Sequence, residues 1–220
     1  KEIKISVKMD NADFLENKIS KIRAFEIFGP DALEIINTHS KKIRKNFYKM
    51  LKPSQKFSLQ KIPENITLGW KIELFKNTSG RLKVDLNLSE QQKLEILNGA
   101  NCSNDKKNSM VNGEEIYDSG IPNYIIESPS DLNLIKKLNF KNLSKILIPI
   151  EVYSKKIFIN ARFTALNYRT LEDKWDGNRP LAVWVDWKKS GKFLKPEIIF
   201  DLPFQRNGNE LGEKVRELIK

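Results

Sequence analysis

Apolar and polar residues alternate along 2–9 and put Ile3, Ile5, Val7 and Met9 on one side of a half-buried strand. The period then lengthens. Phe14, Leu15, Ile19, Ile22 and Phe25 recur at helical spacing behind a capping Asp10 or Asn11, and Gly29-Pro30 ends that helix. Pro30 suits the first turn of a second helix, predicted from 31 to about 51. Its inward face carries Ala32, Ile36, Ile43, Phe47 and Met50, and its outward face Lys41, Lys42, Arg44, Lys45, Lys49 and Lys52. His39 falls beside the apolar stripe, where a histidine packs and hydrogen-bonds more often than it catalyses.

From Phe57 the period shortens to two. Strands are predicted over 68–76 and 81–88, joined as a hairpin by Asn77-Thr78-Ser79-Gly80. Ser89 caps a short helix over 90–97 that stops at Asn98-Gly99. Residues 100–113 are polar, Asn-rich and aperiodic, and read as a loop or linker. One or two short strands follow in 115–126, broken by Gly120 and Pro122, then a helix over 131–138 capped by Ser130. Strands are predicted over 145–153, 156–163, 181–187 and 196–202, before an amphipathic C-terminal helix over 209–220. The pattern defines an α+β fold: a mostly antiparallel sheet with N-terminal helices and a C-terminal helix. It reads as a single domain, 1–220, with a sub-boundary in loop 100–113.

Composition narrows the class. The 220 residues are 40% hydrophobic and 30% charged, as in a folded protein, and no apolar run reaches membrane-helix length. A single cysteine, Cys102, excludes an intrachain disulfide and fits a reducing cytoplasm; with one histidine it also excludes a zinc finger. The net charge of +11 favours a polyanionic partner, because neutralising phosphates releases counterions. The competing reading is a lysine-rich solubilising surface.

The densest chemistry lies in 171–201. A polar turn leads into the apolar run Leu181–Val185, which ends in Asp186-Trp187-Lys188. Residues two apart on a strand share a face, so Asp186 and Lys188 point the same way. Together with Asp176 they form an acid, acid, lysine set of the kind that holds a divalent ion and steadies developing charge. This short stretch resembles the PD-(D/E)xK signature of the restriction-endonuclease superfamily. The resemblance implies Mg²⁺ on Asp176 and Asp186, Lys188 assisting the attacking water, and hydrolysis of a phosphodiester bond. Here the first acid precedes the same strand, whereas the family sets it on a neighbouring one. Glu151 and Asp201, each following an apolar run, are candidates for a further ligand.

Lys174-Trp175-Asp176-Gly177-Asn178-Arg179 is similar to the K-x-D-G-x-R signature of covalent nucleotidyltransferases. That resemblance implies Lys174 as nucleophile and Arg179 on the nucleotide, but the remaining chain is too short for the family's later motifs. Aromatic and basic residues also interleave here, as base stacking and phosphate contact require: Arg162, Asn167, Tyr168, Arg169, Trp175, Asn178, Arg179, Trp187, Lys189 and Lys192. Trp187, between Asp186 and two lysines, is expected at the surface. The expectation is a cytoplasmic protein that binds double-stranded DNA, either as a Mg²⁺-dependent endonuclease of restriction type or as the non-catalytic DNA-reading module of a larger enzyme. A homodimer or a missing partner domain fits either. A metal-free DNA glycosylase is the third reading.

Overall fold

A computed structural model describes residues 2–9, 19–52, 55–76, 80–128 and 146–220. Along the chain the first elements are β1 (Ile5–Met9), α1 (Lys21–Phe28), α2 (Ala32–Lys42), α3 (Arg44–Leu51), β2 (Phe57–Ser58), β3 (Asn65–Phe75) and β4 (Lys83–Asp85). The middle of the chain holds α4 (Glu90–Asn98), α5 (Asn104–Lys107), β5 (Ser109–Val111), β6 (Glu114–Ile116), β7 (Tyr124–Ser128), β8 (Ile148–Pro149) and α6 (Ile150–Lys156). It closes with β9 (Asn160–Arg169), β10 (Lys174–Trp175), β11 (Val183–Ser190), β12 (Phe193–Ile199) and α7 (Gly208–Ile219). The class is α+β with mostly antiparallel pairing, helices toward the N-terminus and one at the C-terminus.

The chain groups into two compact units, Lys1–Asn17 with Asn87–Ile159, and Lys18–Leu86 with Asn160–Lys220. The loop 100–113, read as a boundary, lies wholly inside the first unit and carries α5 and the start of a β5–β6 hairpin. In the first unit β1 runs parallel to β7, and β7 pairs antiparallel with β8. Ser89 and Gln92 close a reciprocal capping box on α4, and Gly99 ends it in the left-handed region at φ 69°. Of the predicted strand 145–153 only Ile148–Pro149 forms, as β8; Pro149 is also the N-cap of α6, and the chain turns helical from Ile150. The helix predicted over 131–138 lies outside the described residues.

The second unit is built on a larger antiparallel sheet, in the order β10-β9-β3-β11-β12-β2, with β4 also pairing with β9. The hairpin predicted from 68–76 and 81–88 is therefore corrected. Both β3 and β4 pair with β9, on opposite sides of it, through Glu73↔Arg162 and Lys83↔Arg162. Long-range pairing of β9 outcompetes the local turn. The single helix predicted from 31 to 51 breaks at Ile43, after the Ser40 hydroxyl bonds the Asn37 carbonyl. Ser20 caps α1; the predicted caps Asp10 and Asn11 lie outside the described residues.

One face of this sheet is covered by α3. Phe47, fully buried, sets its ring edge-on against Trp70, Phe163 and Phe200 at 4.9, 5.2 and 5.6 Å. On the other face, α7 packs against the sheet through Leu211 and Val215. Gly208 and Gly212 let it approach: a Cβ at Gly212 would lie 2.4 Å from the Trp175 ring, and one at Gly208 2.0 Å from the Gly177 carbonyl.

Candidate nucleic-acid interface

The β11–β12 hairpin turns at Gly191-Lys192 and sets Asp186 opposite Glu197 and Lys188 opposite Lys195 on one face. Lys188 Nζ lies 2.5 Å from Glu197 and 3.5 Å from Asp186. Lys214 of α7 pairs with the other Asp186 oxygen. Glu197 first, and Asp186 after it, raise the Lys188 pKa above its ordinary value. Lys188 thus stays an ammonium, able to hold negative charge but not to take a proton. Beside this cluster, Trp184, Asp186, Arg206, Glu210, Leu211 and Lys214 line a cleft of about 340 Å³.

The predicted metal pair Asp176 and Asp186 does not assemble. Asp176 follows β10, which β9 and β3 separate from β11; three strand spacings make about 14 Å, too far for one ion to bridge Asp176 and Asp186. Asp176 instead accepts Arg169 Nε at 2.7 Å. Glu151 is exposed in the first turn of α6, a helix of the first unit, and not at a strand end. Asp201 pairs with Lys41. Asp186 and Glu197 are already matched by two lysines, and no group of three or more His, Cys, Asp or Glu side chains suited to a metal ion forms among the described residues. Asp176 and Asp186, held apart and each engaged by a basic side chain, do not fit a shared Mg²⁺. In the K-x-D-G-x-R stretch, Lys174 pairs with Glu172.

The aromatic half of the expected interface is also corrected. Trp187 is 1% exposed: its ring packs 5.2 Å from Phe57 and its Nε1 donates to the Thr67 carbonyl at 2.8 Å. Period two turns it to the α3 side, away from Asp186 and Lys188. Tyr168 is buried and its hydroxyl donates to Asp173 at 2.6 Å. Trp175 lies against Gly212 and donates through Nε1 to Asn209 at 2.7 Å. Burial of apolar area outweighed exposure for stacking at Trp187 and Tyr168, whereas Trp175 is half-buried.

The polar members divide. Arg162 pairs with buried Glu73 at 3.0 Å and covers the Phe75 ring, and Arg169 pairs with Glu172 and Asp176. Asn167 is half-buried, its Oδ1 without a hydrogen-bond partner among the described residues. Asn178, Arg179, Lys189 and Lys192 are exposed.

Charge is distributed unevenly between the units. The first holds 12 lysines and arginines against 13 acids; the second holds 27 against 15. All six outward cations predicted for residues 31–51 and their C-cap are exposed. Lys41 is taken by Asp201, and Arg44 lies over the Tyr48 and Phe200 rings. Lys42, Lys45, Lys49 and Lys52 have no acidic partner among the described residues. The spacing of four and three residues puts Lys45, Lys49 and Lys52 in one stripe on the outer side of α3, and Lys42 stands at the end of α2 before it. The buried Phe47 and Leu51 hold the opposite side of α3 to the sheet.

Sequence reasoning missed three residues: Glu197, Phe193 and Lys56. Folding 186–197 about Gly191-Lys192 would have placed Glu197 opposite Asp186, but Lys56 meets Phe193 only through the β12–β2 pairing. No helix among the described residues is long and apolar enough to cross a membrane. No family model, curated protein or solved structure matches the chain.

Proposed function

We propose that this protein binds double-stranded DNA through its second unit, with Lys42 and the Lys45, Lys49 and Lys52 stripe lying along the phosphate backbone. The observation that carries the reading is that set of four exposed ammonium groups without carboxylate partners among the described residues: Lys42 ends α2, and Lys45, Lys49 and Lys52 follow along α3, which Phe47 bolts to the sheet. Between Lys45 and Lys52 the helical rise of α3 spans about 10 Å, room for more than one phosphate of a strand. A rigid row of point charges positions a duplex without reading its bases. A binding module is favoured over an endonuclease because β9 and β3 separate the strands that carry Asp176 and Asp186, and Lys188 is held charged between Asp186 and Glu197.

The test is binding of a mixed-sequence duplex across a salt series. Wild type binds with a negative log–log salt slope; changing all four lysines to glutamine makes that slope shallower by about 3.6, at about 0.9 per lost phosphate contact. An unchanged slope removes the stripe from the interface. Absence of any binding at low salt removes the proposal.

A further inference from the structure

Phe193 is the first residue of β12, beside the hairpin turn, and is 39% exposed. Aromatic rings on strands are ordinarily covered by large cross-strand neighbours. Phe193 has none: its register partners are Ser190 on β11 and Ser58 on β2. The next residue along, Leu194, is fully buried and pairs with Phe57. One turn end therefore presents an apolar ring between two hydroxymethyl groups.

The surroundings are cationic. Lys56 Nζ stands 4.2 Å from the ring centroid, and Lys192 occupies the turn. Lys195 and Lys188 lie on the same sheet face as the ring, in register with each other. Lys56, Lys192 and Lys195 have no acidic partner among the described residues, and the one acid on this end of the face, Glu197, is held by Lys188. A flat ring surrounded by unpaired ammonium groups suits a base step with phosphates on both sides, and a two-stranded ribbon is narrow enough to enter a DNA groove. The ring lies on the sheet face of Asp186 and Lys188, opposite the face that α3 covers, at the edge where β12 pairs with β2.

We infer that the β11–β12 turn is a DNA-deforming element: Phe193 wedges into a base step of the bound duplex, unstacking it, while Lys56, Lys192 and Lys195 hold the flanking phosphates. This rests on the duplex-binding reading above. The experiment uses the full chain and short duplexes carrying 2-aminopurine at single interior positions, whose emission rises when the base unstacks. Wild type is expected to raise the emission. Phe193→Ser is expected to lose the rise and to bind about tenfold more weakly, the equivalent of one stacking contact. Phe193→Leu, still an apolar wedge, is expected to keep the rise. Duplex binding by wild type without any rise overturns the wedge, as does a rise undiminished in Phe193→Ser; in both cases the lysine stripe stands. A wild-type chain that does not bind duplex overturns both proposals together.

Discussion

The two units of this chain are made of similar elements, yet one is nearly neutral and the other strongly basic. In the first, lysines and acids balance, and named pairs such as Lys4–Glu2 and Lys93–Glu90 recur. In the second, cations outnumber acids 27 to 15, and a row of them on α2 and α3 has no partner among the described residues. The difference teaches that the overall +11 is not a uniform coating. A lysine-rich surface kept only for solubility has no reason to be segregated by unit.

If the second unit binds through a rigid stripe, loosening its anchor should do the most damage. Phe47→Ala removes a fully buried ring with three edge-on partners and is expected to cost about 3–5 kcal/mol in denaturant unfolding. Duplex affinity should fall with it. A smaller effect follows from Tyr168, whose pKa is pushed up to about 12 by burial and by its hydrogen bond to Asp173. The folded state holds this proton more tightly than the unfolded chain, whose tyrosine titrates near 10. The resulting stability is therefore complete below about pH 10 and lost as pH rises from there toward 12. Urea midpoints across that range should show the loss in wild type and less of it in Tyr168→Phe. The smallest effect belongs to the first unit. Ser89→Ala breaks the capping box of α4 and should cost about 1 kcal/mol while leaving duplex affinity unchanged. A fall in affinity there would blur the contrast between the units.

Local signals were legible where the chain makes its own neighbours. The Ser89 cap, the Gly99 stop, the C-terminal helix and the exposed cations of 31–51 all depend on residues within a few positions of each other. What was not legible depends on distant partners. Trp187 reads as surface because it stands between Asp186 and lysines, but its environment is set by Phe57 and the Thr67 carbonyl, far away in sequence. Asp176 and Asp186 are ten residues apart, and the chain between them crosses to another part of the sheet, because β9 and β3 intervene. Nothing in a single sequence shows that β4 will pair with β9 in preference to β3. Phe193 escaped for the same reason: its lack of large neighbours is a property of register.

The most direct measurement is lysine acetylation of the full chain, read by mass spectrometry with and without excess duplex at low salt. The account predicts protection of Lys45, Lys49, Lys52 and Lys192 in the second unit, with Lys93 and Lys155 of the first labelling as before. Equal protection in both units, or protection confined to Lys93 and Lys155, would contradict it.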